Sequence, residues 1–80
     1  MDLLDTIHMM KSDDYKERFK AEYYQLKIRL EKLNATIVRK AVDPKVAPKT
    51  SYLMLKQQSI IMEAYLKCLE ERAMTEHIEL

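Results

Sequence analysis

The sequence contains no glycine, although a chain of 80 residues with ordinary usage would contain about five or six. Loops that cradle phosphate groups and fingerprints that bind dinucleotides need glycine, because the backbone must approach the ligand closely. Tight β-hairpin turns usually need it as well, because their central residues adopt positive φ angles. The absence of glycine therefore predicts a mostly helical protein whose function does not depend on loop-built catalysis.

Several other features of enzymes and membrane proteins are missing or scarce. No apolar run approaches the roughly 20 residues that a membrane-spanning helix requires, and the first residues lack the basic and apolar regions of a signal peptide. The single cysteine, Cys68, excludes an intramolecular disulfide and is typical of a reducing cytosol. His8 and His77 lie near opposite ends of the chain without a second ligand at metal-binding spacing. We therefore predict no enzymatic activity, no metal, no cofactor and no membrane partner.

The composition is that of one small globular domain, residues 1–80. Apolar residues make up 48% of the chain and charged residues 34%, and the net charge is only +1. A disordered chain would be less apolar and more highly charged. We expect five segments: an N-terminal arm with a short helix (1–11), a first long helix (12–40), a connection containing two prolines (41–50), a second long helix (51–76) and a tail (77–80).

A heptad pattern indicates the first long helix. Ser12 is a good N-cap, and the acidic residues that follow it suit the positive end of the helix dipole. Apolar residues then recur at alternating spacings of four and three: Phe19, Tyr23, Leu26, Leu30, Leu33 and Ile37. Such a seam packs along a partner helix, and Pro44 and Pro48 interrupt the chain before the second helix begins. The fold class predicted is all-α, a long antiparallel helical hairpin with a short N-terminal helix that contains Leu3, Ile7 and Met10.

Both long helices carry more apolar residues than a contact between two helices can bury. Apolar residues of the second helix come in adjacent pairs: Met54 with Leu55, Ile61 with Met62, Tyr65 with Leu66, and Cys68 with Leu69. On the first helix, Tyr24, Ile28 and Val38 lie outside the seam. Soluble monomers rarely expose so large an apolar patch. We therefore expect a homo-oligomeric helical bundle whose interface includes Ile28, Met54, Ile61, Tyr65 and Cys68, with Cys68 a buried, inert thiol.

The small net charge conceals a strong segregation of charge along the chain. Residues 1–26 carry a net charge of −2, residues 27–56 carry +6, and residues 57–80 carry −3. In a hairpin the middle third is the end with the connection, so this tip is basic and the other end is acidic. The segregation is compatible with solubility and complementarity between subunits, and also with an anion site, because clusters of Lys and Arg attract phosphates. The pI of about 7.8 argues against a general nucleic-acid partner, because such domains are usually more basic.

One face of the first helix combines cations with an aromatic ring. Lys16, Lys20, Tyr24 and Lys27 follow one another at spacings of 4, 4 and 3. Lysines around a tyrosine can hold a phosphate while the ring stacks on a base, although lysines also commonly flank a packed tyrosine without binding anything. The candidate ligand-binding residues are these four together with Arg39 and Lys40 of the basic tip.

Two stretches of the chain resemble a small protein family carried by crAss-like and other tailed phages. The first is the run SDDYKERFKAEYYQLKIRLEKL, residues 12–33. The second comprises Leu55-Lys56-Gln57-Gln58, Met62, Tyr65-Leu66 and Leu69-Glu70-Glu71-Arg72-Ala73. The resemblance covers about residues 12–76 and involves no catalytic motif, so it implies no enzymatic activity.

The architecture is similar to that of phage sponges, helical hairpins that inhibit immune signalling by cyclic oligonucleotides. This resemblance implies a compact homo-oligomer, typically a hexamer, that holds a cyclic nucleotide between its protomers without cleaving it. Sponges have a glycine-containing segment before their first helix, which this chain lacks, so no site residue is carried over. The function expected is that of a non-catalytic anti-defence sponge, acting in the cytoplasm of the host bacterium on a small phosphorylated ligand. The alternative is a helical interaction module that binds a host or virion protein.

Overall fold

The computed structural model describes all 80 residues and contains helices but no strands. A 3-10 turn, Leu3–Thr6, runs directly into α1 (Ile7–Met10), and two long helices follow, α2 (Tyr15–Val42) and α3 (Tyr52–Thr75). None of these helices combines the length and the hydropathy that crossing a membrane would require. The sequence prediction of an all-α protein is thus confirmed.

The start of α2 differs from the sequence prediction because a different residue caps it. The Asp14 carboxylate accepts a hydrogen bond from the Lys16 amide at 2.9 Å, so Asp14 is the N-cap. Ser12 lies two residues before this cap, and its hydroxyl accepts a hydrogen bond from the Asp14 amide at 3.0 Å. At the other end α2 continues to Val42, immediately before the Asp43-Pro44 pair.

The two long helices lie antiparallel and form the core between them. Three hydrogen bonds at successive levels join Tyr15 to Glu76, Tyr23 to Glu70 and Ser59 to Asn34. Every residue of the predicted heptad seam is buried except Leu33, which is half-buried. The main cluster consists of Phe19, Tyr23, Leu26, Leu69, Ala73 and Ile78. Burial of this apolar surface is what holds the hairpin closed.

One member of each adjacent apolar pair in α3 is turned towards α2, and the other is exposed. Leu55 and Leu69 are buried and Met62 and Leu66 are half-buried. Their sequence neighbours Met54, Ile61, Tyr65 and Cys68 are exposed. The expectation of a buried thiol at Cys68 is therefore wrong for the single chain, because Leu69 occupies the core position and the helix turns its neighbour outward by about 100°.

The N-terminal arm (residues 1–11) packs on its own α2, on the side away from α3. Thr6 and Ala21 are almost completely buried where the two meet, and the Gln25 amide donates a hydrogen bond to the Thr6 hydroxyl at 3.0 Å. Ile7 and Met10, expected to lie on the apolar face of the short helix, remain largely exposed. The molecule thus has three layers, the arm, α2 and α3, and only α2 is covered on both sides.

α3 ends in a Schellman motif formed without glycine. His77 adopts a left-handed conformation, with φ of 57°. This turn lets the Ile78 amide donate a hydrogen bond to the Ala73 carbonyl at 2.8 Å. It also folds the Ile78 side chain back into the core, where that side chain is buried. The left-handed residue therefore fastens the chain beyond α3 to the hairpin.

Candidate functional site

The connection between α2 and α3 is organised around Lys40. This side chain is only 4% exposed. Its ammonium group donates hydrogen bonds to the Val46 carbonyl at 2.9 Å and to the Pro48 carbonyl. A charged donor to two carbonyls satisfies an ammonium that would otherwise be costly to bury. Lys40 was predicted to bind the phosphate of a ligand. In the structure its ammonium instead bonds the connection and fixes the shape of that segment.

A cleft of about 490 Å³ opens beside this buried lysine, at the tip of the hairpin. Its lining comprises Lys40, Ala41, Pro44, Lys49, Ser51 and Tyr52. The volume lies within the range of small-molecule sites. Lys49 is exposed and makes no hydrogen bond or ion pair, and the Tyr52 ring is partly exposed. The cleft, which we call the tip cleft, therefore offers one free cation and one aromatic ring at the positive end of α3.

Ser51 sets the entrance to α3 at the edge of the tip cleft. Its hydroxyl accepts a hydrogen bond from the Met54 amide at 3.3 Å, which makes Ser51 the N-cap of α3. The cap positions Tyr52 as the first helical residue, and Lys49 lies just before it on the connection. The aromatic ring and the cation are therefore held by the well-defined end of a helix and by the segment that Lys40 fastens.

The predicted lysine–tyrosine face of α2 forms a second, smaller depression. Tyr24 and Lys27 line a cavity of about 230 Å³ together with Met1, Ile28 and Glu31. Tyr24 is half-buried, and its ring lies edge-on to the Tyr23 ring with centroids 5.3 Å apart. This cavity, the arm cavity, joins the arm to α2 and places one lysine beside one partly accessible tyrosine.

The lysines at the start of this face lie outside the arm cavity. Lys16 is exposed, and the ammonium of Lys20 lies 3.6 Å from the Glu17 carboxylate. Lys27 has its ammonium 6.0 Å from the centroid of the Tyr23 ring, a cation–π contact. Of the four residues predicted for this face, the structure brings only Tyr24 and Lys27 together in one cavity.

The six predicted ligand-binding residues divide into two groups on each chain. Lys27 and Arg39 are separated by about 18 Å along α2, given a rise of 1.5 Å per residue. Arg39 is exposed and donates a hydrogen bond to the Thr36 hydroxyl at 3.1 Å, and it does not line the tip cleft. A ligand of nucleotide size cannot contact both groups on one protomer, so the tip cleft and the arm cavity are separate candidate sites.

The cleft residues that sequence reasoning missed are Lys49 and Tyr52. Lys49 belongs to the basic middle third of the chain, so the charge count included it without distinguishing it from the other cations there. Tyr52 had no signal of its own, because a tyrosine at the start of a helix is an ordinary packing residue. Only the shape of the connection shows that the two lie beside one cleft.

A cluster of polar side chains closes the opposite end of the hairpin. Tyr15 donates a hydrogen bond to Glu76 at 2.7 Å and accepts one from Arg72 at 2.7 Å. Arg72 also donates to Glu76 at 3.1 Å, and its guanidinium lies 5.0 Å from the centroid of the Phe19 ring. The hydrogen bond from Tyr15 is the main reason why the pKa of Glu76 is lowered, and the same bond raises the pKa of Tyr15. The members bind one another, so the cluster serves as a clasp between α2 and α3.

The predicted interface residues lie on two opposite sides of the molecule. Met54, Ile61, Tyr65 and Cys68 share the outer face of α3. Ile28 is half-buried on α2, in the arm cavity. A single partner surface can therefore contact the four α3 residues but cannot contact Ile28 at the same time.

No three side chains of His, Cys, Asp or Glu lie close enough to one another to hold a metal ion. Comparison with the curated proteins and with the solved structures gives no match. A family model, that of Sequestin, matches residues 13–75. This range begins one residue before the cap of α2, ends with the last residue of α3 and includes the tip cleft. Because the match spans both long helices and the connection between them, the chain belongs to the Sequestin family.

Proposed function

We propose that the protein is a phage anti-defence sponge that binds a host cyclic nucleotide and withholds it from its receptor without cleaving it. The family name describes sequestration, which is a binding role and not a catalytic one. The observation that carries the proposal is the tip cleft, which presents Lys49 and Tyr52 together. A cation for a phosphate and a ring for a base are the two contacts that a nucleotide needs most.

The shape of the two cavities supports enclosure of the ligand between protomers. The tip cleft and the arm cavity are both shallow and open to solvent, whereas small-molecule sites usually bury most of the ligand surface. A second protomer would supply the missing wall and further cations. The sponge is accordingly a homo-oligomer that acts in the cytoplasm of the host bacterium by stoichiometric capture.

Native mass spectrometry with a panel of cyclic di- and oligonucleotides tests this function. We expect the protein to gain whole ligand masses, and denaturation of the complex should release the nucleotide chemically unchanged. Release of a linear product would contradict the sponge. Failure of every nucleotide to bind would favour the alternative, an interaction module that binds a host or virion protein through the exposed apolar face of α3.

Charge reversal identifies which cavity holds the phosphate. Lys49→Glu should abolish binding if the ligand occupies the tip cleft, and the double variant Lys20→Glu with Lys27→Glu should abolish it if the ligand occupies the arm side of α2. Lys32→Glu is the matched control, because Lys32 is an exposed lysine of α2 that lines neither cavity. Binding that survives both changes would exclude the two cavities as phosphate sites.

A further inference from the structure

The arm cavity carries one charge of each sign, which distinguishes it from the tip cleft. Lys27 and Glu31 both line the arm cavity, and their charges cancel. The charged side chains that line the tip cleft are both lysines. A phosphate is therefore attracted to the tip cleft, whereas in the arm cavity it meets a carboxylate that repels it. The arm cavity accordingly favours a polar ligand group without a formal charge.

Lys27 and Glu31 are one helical turn apart on α2 but do not bind each other. No ion pair joins them, and the ammonium of Lys27 instead lies 6.0 Å from the centroid of the Tyr23 ring. Side chains of a helix lean towards its N-terminus, so Lys27 reaches over the preceding turn, while Glu31 begins about 6 Å further along the helix axis. The cavity thus offers one strong donor and one strong acceptor, neither of which the chain itself uses.

Tyr24 supplies an aromatic surface beside these two groups. Its ring is half-buried and lies edge-on to the Tyr23 ring, with centroids 5.3 Å apart. It also packs against the main cluster between the helices. The core therefore holds the ring in place, and the part that remains accessible lines the arm cavity together with the apolar side chains of Ile28 and Met1.

The size of the arm cavity and its chemistry fit one purine base. Its volume of about 230 Å³ is below the range of roughly 300–1,000 Å³ that is usual for larger ligands. A purine is flat, and adenine carries a donating amino group next to a ring nitrogen that accepts. Proteins bind bases by stacking them on aromatic rings, by donating from lysine to base acceptors and by accepting from base amino groups with a carboxylate. Tyr24, Lys27 and Glu31 are the residue types that make these three contacts.

We propose that the arm cavity binds a purine base, which stacks on Tyr24, accepts a hydrogen bond from Lys27 and donates one from its amino group to Glu31. This inference deepens the proposed function and rests on it for the larger ligand, a nucleotide, to which the base belongs. The arm cavity and the tip cleft are too far apart on one protomer for a single nucleotide to contact both. A ligand with its phosphate in one tip cleft therefore places a base in the arm cavity of another protomer.

Adenosine and purine riboside test the proposal on the full-length protein. Neither nucleoside carries a phosphate, and the two differ only in the amino group that adenosine has. We expect adenosine to shift the backbone amide NMR signals of Tyr24, Lys27 and Glu31, with a dissociation constant that is roughly millimolar because the ligand is small. Purine riboside should bind about tenfold more weakly, because it leaves the carboxylate of Glu31 without a donor. Inorganic phosphate should not displace adenosine.

Two variants assign the hydrogen bonds to their residues. Glu31→Leu should abolish the preference for adenosine over purine riboside, because the amino group loses its acceptor. Lys27→Met should weaken both nucleosides to a similar extent, because both retain the ring nitrogens that accept from the ammonium. Glu22→Leu and Lys32→Met are the matched controls and should change neither affinity, because both residues are exposed on α2 and line neither cavity. All four variants should keep the helix content of the unmodified protein by circular dichroism.

Several results would overturn the inference. They are equal affinity of the unmodified protein for the two nucleosides, a preference for adenosine that survives Glu31→Leu, displacement of adenosine by inorganic phosphate, and signal shifts confined to Lys49 and Tyr52. The proposed function fails in a different way. A protein that gains cyclic nucleotide masses while adenosine leaves the arm cavity unaffected retains the sponge function and loses this site. A protein that binds adenosine in the arm cavity and no cyclic nucleotide retains the site and loses the sponge function.

Discussion

The role of Lys40 yields a prediction that separates architecture from ligand binding. We expect Lys40→Met to destabilise the protein by about 2 kcal/mol, because it removes the ammonium that bonds the Val46 and Pro48 carbonyls while keeping an apolar side chain in its place. Two hydrogen bonds to a charged donor would be worth more than this. The cost of burying the ammonium offsets part of the gain, and the freed carbonyls lie near the surface where water can reach them.

Urea denaturation and thermal denaturation, both followed by circular dichroism at a fixed protein concentration, measure this change. For a domain of this size, 2 kcal/mol corresponds to a fall in the melting temperature of roughly 8–16 °C. Lys45→Met is the matched control, because Lys45 lies on the same connection with an exposed side chain that makes no hydrogen bond or ion pair. This control should leave the melting temperature within a degree or two, as surface substitutions usually do.

The result that would refute the reasoning is a Lys40→Met variant as stable as the control but unable to bind nucleotide. Such a variant would show that the ammonium contacts a phosphate and does not hold the connection. We expect the opposite order, in which stability falls first and any loss of binding follows from a displaced Lys49. Binding measured well below the melting temperature of the variant distinguishes the two.

The remaining predictions concern the core and the acidic end of the hairpin. Leu69→Ala should cost about 3 kcal/mol in the free energy of unfolding, because Leu69 is only 1% exposed in the main cluster. His77→Gly should raise the free energy of unfolding by about 0.5–1 kcal/mol, because glycine adopts the left-handed conformation without the steric cost that histidine bears. The clasp makes stability depend on pH. The pKa of Glu76 is lowered from 4.5, so its contribution is lost as the pH falls below that value, and the pKa of Tyr15 is raised from 10.0, so its contribution is lost as the pH rises above that value. Tyr15→Phe should reduce both losses in a urea series across pH.

Each of these has a clear contrary outcome. A Leu69→Ala variant as stable as Ala64→Ser, a change at an exposed position of the same helix, would place Leu69 outside the core. Destabilisation by His77→Gly would mean that the histidine side chain contributes more than its backbone conformation costs. Identical pH profiles for Tyr15→Phe and the unmodified protein would show that the clasp does not form in solution.

The hairpin could be predicted from sequence because its signal is periodic. Six seam residues at spacings of four and three define one helix and the side it buries, whatever the partner is. The prediction that Ser12 caps α2 was wrong, since Asp14 is the cap; both are favourable N-cap residue types, so residue type alone does not decide between them. Helix boundaries therefore differed from the prediction by a few residues, while the seam did not.

The rotation of α3 could not be predicted from sequence. Adjacent residues such as Leu55 and Met54 differ by about 100° around the helix, and both are apolar. Which of them faces α2 is decided by tertiary packing, with Leu69 and Ala73 fitting against Phe19 in the core. The adjacent apolar pairs in the sequence nevertheless predicted that α3 would have a second apolar face, and the structure leaves that face exposed.

The candidate site was the least predictable part, because residues of one type do different things there. The middle third of the chain holds eight basic residues. Lys40 is buried against carbonyls, Arg39 bonds a threonine, and Lys49 stands free beside a tyrosine. The sequence shows that these residues share a positive charge. Which of them is buried, bonded or free depends on how the proline-containing connection folds back over the end of α2.

The tip cleft and the outer face of α3 adjoin, and this bears on how a sponge of this kind would work. Tyr52 borders the cleft and Leu53, the next residue, lies at the start of the outer face. A second protomer that packed on the outer face of α3 would therefore lie close to this cleft. Any effect of the ligand on assembly must be matched by an equal effect of assembly on ligand affinity, because the two equilibria are thermodynamically linked. Capture and assembly in this protein are therefore expected to be one coupled equilibrium.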